Sequence, residues 1–208
     1  MIIAIDGPTA SGKGTIAKAL AAHYGLPHLD TGLLYRAVGR QVMLNGGNPD
    51  DPADALAAAD FPESLLGDDE LRSEDTGALA SRVSIHPAVR AALLARQQAF
   101  ARQPGGAVLD GRDIATVIAP EAEAKLFVTA SVAARALRRW AEMQKRGEIV
   151  TREEIEADLA LRDERDRSRA AAPLRQAEGA ALLDTSALPV DAAIAAAVAL
   201  VEQQVAPR

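Results

Sequence analysis

Residues 2–15 read Ile2-Ile3-Ala4-Ile5-Asp6-Gly7-Pro8-Thr9-Ala10-Ser11-Gly12-Lys13-Gly14-Thr15, an apolar run, a glycine-rich turn and then a helical pattern. The run is continuous rather than alternating, which predicts a strand covered on both faces. Beyond the turn, Ile16, Leu20 and Tyr24 repeat at helical spacing. A strand, a glycine-rich turn and a helix in that order form an anion-binding loop. The glycines let backbone N–H groups turn inward, and the helix N-terminus adds unsatisfied donors and a positive dipole end. Lys13 is placed to reach the β- and γ-phosphates of a bound nucleotide. The residue after it is Gly14, so the usual metal-ligating hydroxyl is missing. The hydroxyl comes one position later, at Thr15, a candidate for phosphate or for metal-bound water.

Outward from this unit, four more apolar runs predict strands at 27–30, 107–110, 125–129 and 181–184. Between them lie helical patterns. Val132, Ala136, Arg139 and Met143 repeat after the fourth strand. Val190, Ile194, Val198, Val201 and Val205 form one apolar stripe after the fifth. Alternating strands and helices predict an α/β fold, with a parallel sheet and helices on both faces. Two segments break the alternation. Residues 46–87 hold 10 acids against 2 bases with scattered hydrophobes, and read as a mostly helical surface lobe inserted between strands two and three. Residues 145–172 centre on an arginine-dense helix.

The whole chain has 208 residues and a net charge of −6. That length suits one compact domain with a small inserted lobe. The apolar fraction is 49%, but 46 residues are Ala, so Leu, Ile, Val and the few aromatics must supply most of the core. The chain has no Cys, which excludes disulfides, thiolate metal sites and a Cys nucleophile. The longest strongly apolar stretch, 192–201, is half the ~20 residues of a membrane span. No basic n-region precedes Ile2, so no secretory leader is expected. An acidic chain with 3% aromatics is a poor sequence-independent nucleic-acid binder. His23, His28 and His86 have no metal-ligand spacing, and Trp140 reads as a helix-packing residue rather than a base-stacking one.

Three further constellations carry chemistry. Leu29-Asp30-Thr31-Gly32-Leu33-Leu34-Tyr35-Arg36 follows strand two, and a strand end, a turn and a helix bearing Arg make an acceptor pocket at the carboxyl edge of a sheet. Asp110-Gly111-Arg112-Asp113 follows strand three. There Asp110 is a candidate for magnesium-bound water, Arg112 suits phosphate, and Asp113 suits a sugar hydroxyl or base amine. Arg162, Asp166 and Arg169 stand at i, i+4 and i+7 and share one helix face. An arginine-bearing lid brings positive charge to phosphates while excluding water. Neither Asp-x-x-Gly nor Asn-Lys-x-Asp occurs, which excludes a GTPase-type switch. Two readings stay open on the residues alone. One is a kinase acting on a nucleoside monophosphate or another small metabolite. The other is a non-catalytic nucleotide-binding regulator.

Five motifs in order, Ile-Asp-Gly-Pro before the loop, Gly-Lys-Gly-Thr, Leu-Asp-Thr-Gly-x-x-Tyr-Arg, Asp-Gly-Arg-Asp and Arg-Asp-x-x-Asp-Arg-x-Arg-x-x-x-Pro-Leu, resemble those of the bacterial cytidylate kinases. These are nucleoside monophosphate kinases, and the resemblance covers 1–45 and 86–208. It implies a single P-loop kinase domain over 1–208. That domain would have a five-stranded parallel core, an inserted monophosphate-binding lobe at about 46–87 and a short lid at about 145–172. The implied reaction is Mg²⁺-dependent transfer of the ATP γ-phosphate to CMP or dCMP by a monomeric cytoplasmic enzyme with no nucleic-acid or membrane partner. Carried over by motif, Gly7, Pro8, Thr9, Ala10, Ser11, Gly12, Lys13, Gly14 and Thr15 bind ATP phosphates. Thr31, Arg36, Arg90, Arg112, Asp113, Arg162, Asp166 and Arg169 bind CMP, and Lys13, Arg162 and Arg169 act in catalysis. The direct magnesium ligands are left open between Thr15 and Asp110. Two features depart from the family pattern. Thr31 stands where Ser is common, and 60–85 lacks the strand pattern of the family's small three-stranded insert.

Overall fold

In the computed structural model, described over residues 1–206, five strands form one parallel sheet. They are β1 (Ile2–Asp6), β2 (His28–Asp30), β3 (Ala107–Gly111), β4 (Ala124–Thr129) and β5 (Ala181–Asp184), in spatial order β2-β3-β1-β4-β5. Eight helices connect and cover them: α1 (Lys13–Tyr24), α2 (Thr31–Leu44), α3 (Pro52–Ala57), α4 (Glu74–Val83), α5 (Pro87–Ala101), α6 (Val132–Lys145), α7 (Arg152–Ser168) and α8 (Val190–Val205). All five expected strands are present. In the register, Asp6 lies opposite both Gly111 and Phe127. The turns that follow β1 and β3 therefore start side by side at the carboxyl edge.

β1 is covered on both sides, as its continuous apolar run requires. Ile3 and Ile5 pack with Ile16 and Leu20 of α1 and with α8, while Ala4 faces Ala101 of α5 and a one-turn π-helical segment, Ile114–Ile118. The edge is different. On β5, Leu183 is buried but Leu182 is 55% exposed, because an edge strand here has only one covered face.

The stripe expected on α8 is corrected by the structure. The buried residues are Ala193, Ala197 and Val201, whereas Val190 is 60% exposed and Val205 is 38% exposed. Small Ala side chains let the helix axis approach α1 and β4, and the larger Val198 and Leu200 pack against the same core partly buried.

Between α2 and α5 the chain forms α3, two short 3₁₀ turns (Glu63–Gly67 and Asp69–Arg72) and α4, with no strand among the described residues there. The hydrophobes that look scattered in sequence gather on α2. Phe61, Leu65, Leu71 and Val83 join Leu34, Val38 and Val42 in one cluster. Gly39 allows α2 and α4 to touch, since a Cβ there would lie 2.7 Å from Leu79 Cβ. Leu71 is fully buried, so truncation to Ala costs about 2–5 kcal/mol.

α6 and α7 share a small core of their own: Ala136, Ile155 and Leu159, backed by Val132, Met143 and Val150. A capping box between Thr151 and Glu154 starts α7. Among the described residues, no helix is long and apolar enough to cross a membrane.

Candidate active site

The turn after β1 bends as an anion cradle must. A Cβ at Gly7 would collide with the Val128 carbonyl, and Gly12 has φ 88°, so neither position admits a side chain easily. Ala10 also adopts a left-handed backbone at φ 61°, a strained conformation of the kind concentrated at ligand clamps. The loop carbonyls are tied away from the cradle. Arg135 donates to Thr9 O at 3.0 Å and Thr185 Oγ1 donates to Ser11 O at 2.9 Å. The N-cap of α1, Gly12, offers no side chain to the first turn. The N–H groups of that turn therefore face outward unsatisfied, which is what a phosphate needs.

A cleft of about 690 Å³ opens beside this loop, within the usual size range of small-molecule sites. The expected loop residues Thr9, Ala10, Gly12, Lys13, Gly14 and Thr15 line it, while Gly7, Pro8 and Ser11 lie behind them. All eight residues expected around the acceptor also line it: Thr31, Arg36, Arg90, Arg112, Asp113, Arg162, Asp166 and Arg169. They come from α2, α5, the turn after β3 and α7 with the residue that follows it. Asp110 does not reach the cleft wall. Its carboxylate is buried and meets His28 Nε2 at 2.8 Å, and Asp30 lines the cleft instead.

Each acceptor-side arginine in the cleft is already held by a local acceptor. Arg36 donates to the carbonyls of Leu71 and Ser73, both at 2.8 Å, and Gly77 leaves the space its guanidinium fills. Burial and then the neighbouring Arg139 push the Arg36 guanidinium down to about 10. Arg90 pairs with Asp113 and lies 5.4 Å over the Tyr35 ring. Arg112 links the two sides of the cleft, donating to Asp166 at 2.7 Å and to Thr9 Oγ1 at 2.5 Å. Burial alone would raise the Asp166 carboxyl, but Arg112 and then Arg169 and Lys13 hold it below the usual carboxylate range. Arg169 donates to Ala172 O at 2.7 Å, and its Nη2 is buried without a partner. Burial, followed by Arg112, pushes the Lys13 ammonium down to about 8. Thr31 Oγ1 donates to Asp110 O at 2.9 Å, so this hydroxyl also fixes β2 against β3.

Four further residues shape the site and carry no role assigned from the sequence, although Asp163 stands in the fifth motif. Arg135 of α6 makes a two-point pair with Asp163 of α7, at 3.0 and 2.5 Å, with both side chains almost wholly buried. It thereby ties the helix carrying Arg162 to the loop carbonyl of Thr9. Thr185, just past β5, anchors Ser11 O and accepts from Arg138 at 3.1 Å. Glu74, the first residue of α4, pairs with Arg139 and lies 3.8 Å from Arg162. Trp140 is absent from the cleft lining. His86 bonds Pro49 O at 2.9 Å, and the described residues contain no cluster of three or more metal-ligating side chains.

A family model described as "Cytidylate kinase" matches residues 3–203 of the chain. A "Cytidylate kinase" of Xanthobacter autotrophicus is 59% identical over 208 residues, covering all of both chains. A "Cytidylate kinase" of Rhodopseudomonas palustris is 57% identical over 203 residues, covering 97% of this chain and 96% of the relative. A third, from Cereibacter sphaeroides, is 56% identical over 200 residues, covering 96% of this chain and 94% of the relative.

Proposed function

Because the chain belongs to the cytidylate kinase family, whose members move the γ-phosphate of ATP to CMP or dCMP, we propose that its single cleft holds both nucleotides with their phosphates facing each other. The observation that carries this reading is the convergence of the anion cradle after β1 and eight acceptor-side residues on one cleft. The loop at Gly7–Thr15 takes the ATP phosphates, with Lys13 as the central cation. Arg36, Arg90, Arg112 and Asp113 take the CMP side. Arg162, Asp166 and Arg169 reach both nucleotides from the lid at about 145–172, and the lobe at about 46–87 encloses the monophosphate.

The geometry performs the transfer without a covalent intermediate. A monophosphate oxygen is already a nucleophile at neutral pH, because its second pKa is about 6. No general base is therefore required. Arg36, Arg90 and Arg169 orient the acceptor phosphate for in-line attack on the γ-phosphorus. As the bond to the leaving ADP oxygen lengthens, Lys13 and Arg162 meet the charge that develops. Arg169 Nη2, which has no protein partner, supplies a donor toward the acceptor phosphate.

The residues fit a magnesium ion carried by the nucleotide rather than a protein cage. Thr15 sits exposed on the cleft and Asp30 lines it, with no three-ligand cluster among the described residues. When bound, Mg²⁺ spreads charge off the β- and γ-oxygens, and Thr15 or Asp30 would hold its water.

ADP release with ATP against CMP, dCMP, UMP, AMP and shikimate tests the acceptor assignment. CMP or dCMP is expected to dominate. Turnover of AMP or shikimate with CMP inert would refute it.

A further inference from the structure

The chain turn 71–74 holds three arginines at the cleft, one through backbone carbonyls and two through a carboxylate. The Leu71 and Ser73 carbonyls accept from Arg36. The Glu74 carboxylate meets Arg139 of α6 and Arg162 of α7. Ser73 caps α4 through Thr76 N at 3.2 Å, which fixes the backbone that presents Glu74. Farther along the same seam, Arg165 of α7 donates to Ser81 Oγ of α4 at 2.7 Å. Glu74 is thus an acidic group joining the acceptor lobe to α6 and to α7 of the lid.

The charge balance of the cleft makes this contact consequential. Arg36, Arg139 and Arg162 stand close enough to repel one another, and all three are removed from bulk water. Guanidinium groups held together in a partly dry cleft need an anion. When phosphates are present they supply it. Otherwise Glu74 supplies it together with Asp158, 2.9 Å from Arg162, and Glu142, 3.9 Å from Arg139; Glu74 is the one that also joins the two arginines, and it is not itself part of the cleft wall.

We infer that Glu74 is a positioning residue that stands in for substrate phosphate, holding Arg139 and Arg162 across the lobe–lid seam and giving them up when phosphate enters. This inference rests on the phosphate reading of the cleft above. It also adds Arg139 to the groups that meet the transferred phosphate.

The sign of one measurement separates this role from a merely structural one. Loosening the seam for structural reasons would weaken anion binding, whereas removing a competing carboxylate strengthens it. The probe is inorganic pyrophosphate, measured by titration calorimetry on the full chain. Glu74→Gln keeps the shape and removes the charge. It is expected to bind pyrophosphate roughly two- to fivefold more tightly than wild type, the factor that a partly exposed ion pair supplies. Glu74→Asp keeps the charge and is expected to stay near wild type. The nucleotide-free Glu74→Gln protein should melt below wild type, and saturating pyrophosphate should close the gap. Unchanged or weaker pyrophosphate binding by Glu74→Gln, or a melting gap that persists at saturation, overturns the role of Glu74. Failure of the wild type to bind pyrophosphate at all would overturn the phosphate reading and this inference together.

Discussion

The pair Arg135–Asp163 connects folding to the phosphate loop, and Asp163→Asn tests that connection. Arg135 spends its fork on Asp163 Oδ1 and Oδ2, and its remaining donors on Thr9 O and Ala130 O at 3.0 Å each. The two side chains are 2% and 3% exposed. Converting the carboxylate to an amide leaves a guanidinium buried without its anion, which costs about 3–5 kcal/mol. A domain of this size loses about 2–4 °C of Tm per kcal/mol, so the fall is on the order of 6–20 °C. Urea unfolding with linear extrapolation reads the free energy directly. The double variant Arg135→Met, Asp163→Leu separates two effects. Replacing both charges by apolar groups is expected to restore most of the stability. It cannot restore the donor to Thr9 O, so KM for ATP should remain raised. A loss under about 1 kcal/mol in Asp163→Asn would refute the buried-pair argument. So would a double variant that recovers both stability and a normal KM, because the loop would then not depend on Arg135.

Lys13→Ala is expected to lower kcat by about a hundredfold or more while the fold survives, since the lost group meets charge in the transition state; circular dichroism with steady-state kinetics checks both halves. The Lys13 ammonium, at about 8 in the free enzyme, must be protonated to hold phosphate, so kcat/KM for ATP should fall as pH rises through 8. The fall should disappear in Lys13→Arg, and its persistence there would remove Lys13 as the cause. Gly77→Ala places a Cβ 2.8 Å from Arg36 Nη2 and 3.2 Å from its Cζ, forcing the guanidinium off Leu71 O and Ser73 O. KM for CMP is expected to rise about tenfold with KM for ATP nearly unchanged, the cost of one misplaced charge-assisted contact; equal losses for both nucleotides would contradict the assignment of Arg36 to the acceptor side.

What the sequence revealed depended on whether the signal was local. The five strands are continuous apolar runs, and the phosphate loop is a run of adjacent residues whose chemistry does not need a partner to be read. Motifs single out the eight residues assigned to the acceptor side, and the sheet order brings them to one cleft. The α8 stripe failed because Ala counts as weakly apolar in a periodicity, yet Ala193 and Ala197 are what a close helix contact demands. Arg135 and Asp163 are 28 residues apart and each looks like an ordinary surface charge. Asp163 stands inside the Arg-Asp-x-x-Asp-Arg motif, but nothing near either residue announces its partner or its burial. Glu74 is hidden in the same way, as one acid among the 10 of segment 46–87. Long-range pairing of charge is the information that periodicity does not contain.

That pairing also explains how an acidic chain can hold two anionic nucleotides. The net charge of −6 says nothing about the potential inside the cleft, because the acceptor-side arginines there are each matched by a local acceptor. Arg90 has Asp113, Arg112 has Asp166, Arg162 has Asp158 at 2.9 Å as well as Glu74, and Arg36 has two carbonyls. Burying these guanidiniums bare would cost several kcal/mol each. Held by carboxylates and carbonyls, they are buried at low cost before any ligand arrives. Phosphate binding then becomes an exchange of one anion for another rather than the first neutralisation of a buried charge. An exchange of this kind has a modest net free energy, which suits an enzyme that must release CDP and ADP after each turnover. It also sets a physical distinction among the acids near the cleft. Asp166 lines the cleft and is held low by three neighbouring cations, whereas Glu74 stands off the cleft wall, behind the arginines it meets.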